Sequence, residues 1–262
     1  MSEFKIDGVA GEEAGEGVPV VLLHGLTATR RYVVMGSKNL ERGGHRVVMY
    51  DARGHGRSDP AGAYGYGELA DDLLAVLDDR GIDRAVLAGA SMGAHTLLRM
   101  ALDRPDRAAA LVLITPAFDP DDDGRDLERW DALSDGLRRD GVEGFLAAYG
   151  EARVPDQWRE TVKTVLRQRL SAHEHPEAVA DAIEQVPRSS PFEAWDALSS
   201  LDLPVTVVAS RDEADPGHPY AIGERYADAI PGAKLLSEEP GKSPLAWQGG
   251  QLSRVIAEQA GA

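Results

Sequence analysis

Short apolar runs alternate along this chain with longer stretches in which apolar residues recur every three or four positions. The runs Val18 to Leu23, Arg46 to Tyr50, Arg84 to Ala88, Ala109 to Ile114, Val205 to Ala209 and Ala233 to Leu236 are rich in Val, Leu, Ile or Ala and close on polar or glycine-containing turns. That is the pattern of strands buried on both faces. Between them, Leu69, Leu73, Val76 and Leu77 follow helical spacing, with Gly81 where a left-handed cap would end the helix. Pro219 opens a second such helix, with Ile222, Tyr226 and Ile230 on one face. The alternation predicts an α/β fold with a mostly parallel central sheet flanked by helices.

From Pro120 to Leu203 the alternation stops, and no strand-like run appears. Trp130, Leu133 and Leu137, then Phe145 and Tyr149, then Val162, Leu166 and Leu170 are spaced as on helices. Because about eighty residues without structure would be unusual inside a compact domain, this segment is expected to be helical. The predicted organisation is a core domain of residues 1–119 and 204–262, with a helical cap, 120–203, inserted into it. No repeat of fixed period and no low-complexity tract is present.

Composition narrows the partners. With 262 residues, 43% of them hydrophobic, the chain can bury a core without staples. Lys and Arg total 28 against 44 Asp and Glu, a net charge of -16, so nucleic acid and anionic bilayers are excluded as partners. A small-molecule substrate is expected, and a homo-oligomer is left open. The absence of cysteine removes disulfides, thiolate catalysis and cysteine zinc sites. Met1 to Gly17 lacks a basic or apolar leader pattern, which points to a cytoplasmic protein. No cofactor is implied. The pair His173 and His175 is not read as a metal site, because alternate residues diverge on a helix; a solvated helix end is expected there.

Candidate chemistry concentrates in Gly89-Ala90-Ser91-Met92-Gly93, directly after a strand-like run and before a helix-patterned stretch. A strand that turns sharply into a helix needs small residues two before and two after the serine. Such a bend would present Ser91 above the sheet, with the backbone N–H of Met92 at the helix start facing a developing oxyanion.

Two further motifs stand in order with this one: His24-Gly25-Leu26-Thr27 at the end of the first long strand, and Asp51-Ala52-Arg53-Gly54-His55-Gly56-Arg57-Ser58 after the next. Together the three resemble those of the α/β-hydrolase superfamily over nearly the whole chain. The resemblance implies Ser91 as nucleophile, the backbone N–H of Leu26 as second oxyanion donor beside Met92, and 120–203 as a substrate-selecting cap. It also implies an acid after the strand that follows the cap. Asp215, in Asp215-Pro216-Gly217-His218-Pro219, matches that place, with Asp212 second and Asp119 third.

The chain departs from the family pattern at the base. Its seven histidines are His24, His45, His55, His95, His173, His175 and His218, so none follows the last strand, where the resemblance would put one. Lys242 falls near that position. Three readings stay open. His218 acts as base from the acid's own loop; His173 or His175 descends from the cap; or there is no base, Lys242 pairing with Asp215 or Glu239. A Ser–Lys dyad is disfavoured, since nearby carboxylates would keep the amine charged. The remaining histidines read as structural: His24 in a turn, His55 bracing its loop, His95 packed under the elbow. Trp130, Trp158 and Trp195 either line an apolar acyl or aromatic pocket or pack the cap, with Trp247 outside it. The functional expectation is hydrolysis of a small ester, lactone or thioester through an acyl intermediate on Ser91. The alternative is a non-hydrolytic ligand-binding or lyase-like member.

Overall fold

A computed structural model describes residues 1–122, 126–151 and 154–261. Eight strands form one sheet: β1 (Ser2–Ile6), β2 (Val9–Ala14), β3 (Val18–Leu23), β4 (His45–Tyr50), β5 (Ala85–Ala90), β6 (Ala108–Ile114), β7 (Val205–Val208) and β8 (Lys234–Leu236). The helices are α1 (Asn39–Arg42), α2 (Tyr66–Asp79), α3 (Met92–Asp103), α4 (Leu127–Tyr149), α5 (Asp156–Leu170), α6 (Pro176–Gln185), α7 (Tyr220–Ala229) and α8 (Gly249–Ala260). The strand order is β1-β2-β4-β3-β5-β6-β7-β8. Every pair from β4 to β8 in that order is parallel, so the loops leaving β3, β5, β6 and β7 gather at one edge of the sheet. Ligands of such folds sit outside these carboxyl ends.

Successive strand residues point to opposite faces, and each face has its own core. Val21, Leu23, Leu87, Leu111, Leu113 and Val207 pack with α2, α3 and Tyr226 of α7. Val20, Leu22, Val86, Ala88, Val112 and Val208 pack with Leu40 of α1 and with Leu252 and Ile256 of α8. The predicted Leu69-to-Leu77 helix is α2, and Gly81 beyond it takes φ +62°.

The sheet is mostly parallel, as expected, and its N-terminal edge adds a hairpin that the apolar runs did not mark. β1 and β2 form an antiparallel hairpin, and β2 pairs antiparallel with β4. Its signal was local: the turn between them is Asp7-Gly8, both at positive φ, a dipeptide that favours two-residue hairpins. The acidic residues of Met1 to Gly17 hid it, because an edge strand keeps one face polar.

Between β6 and β7 lie α4, α5 and α6 and no strand among the described residues. Residues 123–125 and 152–153 of this insertion, and residue 262, lie outside them. α4 breaks at Asp140 and Gly141, the latter at φ +64°. Leu133, Leu137, Phe145, Leu170, Val179 and Ile183 form the insertion's own core, on which Leu26 also packs. Ala178, Ala182 and Val186 pack onto Met92, Tyr64 and Tyr66 of the main body. Among the described residues no helix is long and apolar enough to cross a membrane.

Candidate active site

Ser91 sits between β5 and α3 at φ +50° and ψ −113°, a backbone region costly for a residue with a Cβ. The cost is tolerated because the bend is enclosed on every side. A Cβ on Gly89 would meet the Gly93 carbonyl carbon at 2.4 Å, and one on Gly93 would meet the Leu23 oxygen at 2.4 Å. Glycine at both positions therefore reflects a lack of room, and the strained hydroxyl stands at the sheet edge, half-buried.

The turn after β3 lies against this bend. Ala28 N–H donates to the Gly25 carbonyl at 3.0 Å, Thr27 is at φ +65°, and a Cβ on Gly25 would stand 3.3 Å from Ser91 Cβ. Among the described residues no carbonyl accepts from the backbone N–H of Leu26 or Met92. Met92 begins α3, where the first amides have no intrahelical acceptor and the helix dipole favours negative charge.

Asp215 and His218, the expected acid and one candidate base, share one short loop. In the loop from β7 to α7, Asp215 N–H donates to Asp212 O at 3.1 Å and His218 N–H to Asp215 O at 3.2 Å. Pro219 then caps α7, whose Gly223 leaves no room for a Cβ against Ala209, 2.5 Å away. This places His218 Nδ1 at 2.8 Å from Asp215 Oδ1 and Nε2 at 2.8 Å from Ser91 Oγ. With Nδ1–H donating to the carboxylate, Nε2 is free to accept from the Ser91 hydroxyl. Burial would push the Asp215 carboxyl up, but the hydrogen bond from His218 and the positive charge of His218 and Arg169 hold it below the usual aspartate value.

The other candidates are engaged elsewhere. Asp212 accepts from Ala214 N–H at 2.9 Å. Asp119 accepts from Arg225 at 2.8 Å and from Trp195 Nε1 at 3.3 Å. Lys242 is exposed, and its expected pairing with Asp215 or Glu239 is absent among the described residues; only its backbone N–H meets Glu239 O, at 3.0 Å. The segment after β8 contributes Glu238 instead, which accepts from Arg211 N–H at 2.5 Å and so braces the loop's start.

His173 corrects the expectation of a solvated helix end. Its Nδ1 accepts from Gly56 N–H at 2.7 Å and its Nε2 donates to Thr27 O at 3.0 Å, so it ties the insertion to the turn after β3 and is committed away from Ser91. His175 precedes α6 and faces Glu177 at 3.5 Å. His24 accepts from Ala52 N–H at 2.9 Å and donates to the Gly25 carbonyl, and burial lowers its pKa to about 3. His55 hydrogen-bonds the Arg53 carbonyl at 3.0 Å. His95 accepts from the Ala117 and Phe118 amides at 3.0 and 3.1 Å and faces Tyr66 Oη at 3.0 Å; burial lowers it, too, to about 3. Trp158 is 42% exposed, while Trp195 packs on Phe192 and Tyr226. The run that begins at Asp51 is scaffolding: Asp51 accepts from Arg30 N–H and the Arg30 guanidinium, and Arg53 forks onto Asp72 with two bonds of 2.7 Å.

Arg169 escaped sequence reasoning. It lies seven residues after Val162 and three after Leu166 on α5, hence on the apolar stripe rather than the solvated face. A charge on a core-facing stripe was the available signal.

Known proteins resemble this chain at every level. The family model described as alpha/beta hydrolase fold matches residues 18–242. The chain is 28% identical over 218 residues to a putative carbamate hydrolase RutD of Variovorax paradoxus, covering 82% of this chain and 80% of the relative. It is 30% identical over 239 residues to 2-hydroxy-6-oxononadienedioate/2-hydroxy-6-oxononatrienedioate hydrolase 2 of Pseudomonas putida, covering 85% and 80%. Among solved structures, a thermophilic esterase from Thermogutta terrifontis, malate bound, superposes with TM-score 0.81 at 26% identity over 98% of this chain and 97% of that one.

Proposed function

The chain belongs to the alpha/beta hydrolase fold family and is a hydrolase, and from that premise we propose that it cleaves a small ester, lactone or thioester through an acyl intermediate on Ser91. One observation carries the reading: a single imidazole, His218, lies 2.8 Å from Ser91 Oγ on one side and 2.8 Å from Asp215 on the other. A serine hydroxyl is a weak nucleophile unless a positioned base takes its proton.

In this reading Ser91 Oγ attacks the substrate carbonyl carbon while its proton passes to His218 Nε2. The oxyanion formed accepts hydrogen bonds from the amides of Leu26 and Met92, which need no reorganisation at that moment. The intermediate collapses, the bond to the leaving oxygen or sulfur breaks, and Nε2 returns the proton to it. Water then gives a proton to the same Nε2 as it attacks the acyl carbon, and Ser91 is released with its proton restored. Asp215 stays ionised, accepting a hydrogen bond from His218 Nδ1–H, and steadies the imidazolium. The insertion 120–203 serves as the cap over this edge, its helices packed on Leu26 and Met92. A non-hydrolytic member would lack a base at the serine, and in this reading His218 is that base.

Incubation with a fluorophosphonate and with short-chain p-nitrophenyl esters tests the reading. A covalent adduct mapping to Ser91 by mass spectrometry, together with ester turnover, is expected. A protein that neither labels nor turns over any ester contradicts it.

A further inference from the structure

The Arg169 guanidinium reaches from α5 to the turn after β3, where Nη2 donates to the Leu26 carbonyl at 2.9 Å and approaches Thr27 Oγ1 at 3.3 Å. Both acceptors are neutral. Nε is buried and has no hydrogen-bond partner, and among the described residues Arg169 forms no ion pair; Tyr32 presents its ring 5.8 Å from the guanidinium carbon. Burial disfavours the charge, and the negative charge of Asp215 is the main influence opposing it.

A guanidinium does not shed its proton in a protein, so an uncompensated one held from water is expensive. This chain has carboxylates to spare, 44 acidic side chains against 28 basic ones. It uses them on its other enclosed arginines: Arg30 meets Asp51, Arg53 meets Asp72 and Arg107 meets Asp78. Holding the Leu26 carbonyl occupies one nitrogen and needs no positive charge. The guanidinium stands beside both halves of the proposed site: it bonds the carbonyl of Leu26, whose amide that reading assigns to the oxyanion, and its charge acts on Asp215, the acid of the proposed triad.

We propose that Arg169 receives an ionised carboxylate carried by the substrate, so that the site selects esters or lactones of acids bearing a second, free carboxyl group. The proposal rests on the acyl-transfer reading of Ser91. Because the guanidinium bonds the carbonyl of the oxyanion residue itself, the two carbonyl groups of the substrate are separated by a short chain, on the order of two to four carbons. Arginine suits this task better than lysine because its planar fork matches a carboxylate.

The test compares monomethyl succinate, glutarate and adipate with the corresponding methyl ester amides, which are neutral and of similar size. The ratio of kcat/KM, anionic over neutral, is measured for wild type, Arg169→Lys and Arg169→Met. A wild-type ratio of at least about thirty for the best chain length is expected, falling to near one in Arg169→Met and to an intermediate value in Arg169→Lys. A wild type that favours the amides, or an Arg169→Met that slows both members of a pair equally, overturns the proposal and makes Arg169 a positioning residue for the oxyanion turn. Should Arg169→Met fail to fold, Arg169→Gln, which retains a donor for the Leu26 carbonyl, carries the same comparison. If wild type hydrolyses none of the esters, the acyl-transfer reading fails separately. Calorimetric titration of Ser91→Ala with monomethyl glutarate and its amide then decides: tighter binding of the anion that disappears on adding Arg169→Met supports the carboxylate site, and equal binding of the two overturns it.

Discussion

The elbow at Ser91 and the loop from Arg211 to His218 supply opposite halves of one proposed reaction, and they are held by opposite means. The elbow is fixed by exclusion: at Gly89 and Gly93 any Cβ would strike backbone, at Gly25 it would crowd Ala90 O and Ser91 Cβ, and the strands beneath them are buried on both faces. The loop is fixed by bonding. Two successive backbone hydrogen bonds, a proline-capped helix and the Asp215–His218 contact define it, with the two side chains 21% and 25% exposed. A nucleophile held by packing can be strained, since the core resists its relaxation. A base held by hydrogen bonds can be moved along the chain, and the one proposed here, His218, stands three residues from Asp215 rather than after the last strand.

Substitutions should therefore separate the two regions, those in the loop costing rate and those in the elbow costing stability as well. The largest loss of turnover is expected from Ser91→Ala, roughly a million-fold in kcat on p-nitrophenyl acetate, with His218→Ala close behind because the two act as a unit. Asp215→Asn should cost roughly a thousand- to ten-thousand-fold in the same assay, by misplacing the Nδ1 proton, while the thermal unfolding midpoint moves little. Gly93→Ala reverses that pattern: its Cβ would meet Leu23 backbone at 2.4 Å, and calorimetry should find a loss of about 3 kcal/mol or more, if the variant folds at all.

Acid should act on the elbow before the loop. His24 and His95 flank it, and burial lowers each from 6.5 to about 3. Between those values the unfolded chain binds protons that the folded chain does not, so stability is full above about pH 6.5 and falls as the pH drops toward 3. Urea unfolding at pH 4.5 should show a loss of about 2–3 kcal/mol for each histidine relative to pH 7. The smallest effect is expected at Lys242→Ala, within about two-fold of wild-type kcat/KM, since its ammonium is exposed and unpaired among the described residues.

The strands from Val18 to Leu236 were legible because parallel strands read as continuous apolar runs. The elbow was legible because its chemistry is a local pattern of small residues between a strand and a helix. The Asp215–His218 pair was legible as one choice among three: spacing names the residues, but only the turn at Asp212 and the start of α7 aim the imidazole at Ser91. Three features lay beyond the pattern. The β1–β2 hairpin kept one face charged, although Asp7-Gly8 marked its turn. His173 reaches Gly56 and Thr27 across more than a hundred residues of chain, a closure that exists only after the insertion has packed. Arg169 belongs to the same class, its meaning set by what α5 lies against.

The claim that the base has moved into the acid's loop is tested most directly by the second-order rate of fluorophosphonate labelling at Ser91 across pH 5 to 9, in wild type, His218→Ala and Lys242→Ala. Labelling should fall at least about a hundred-fold in His218→Ala across that range, with Lys242→Ala tracing the wild-type curve. Wild-type labelling in His218→Ala, or its collapse in Lys242→Ala, would contradict the account.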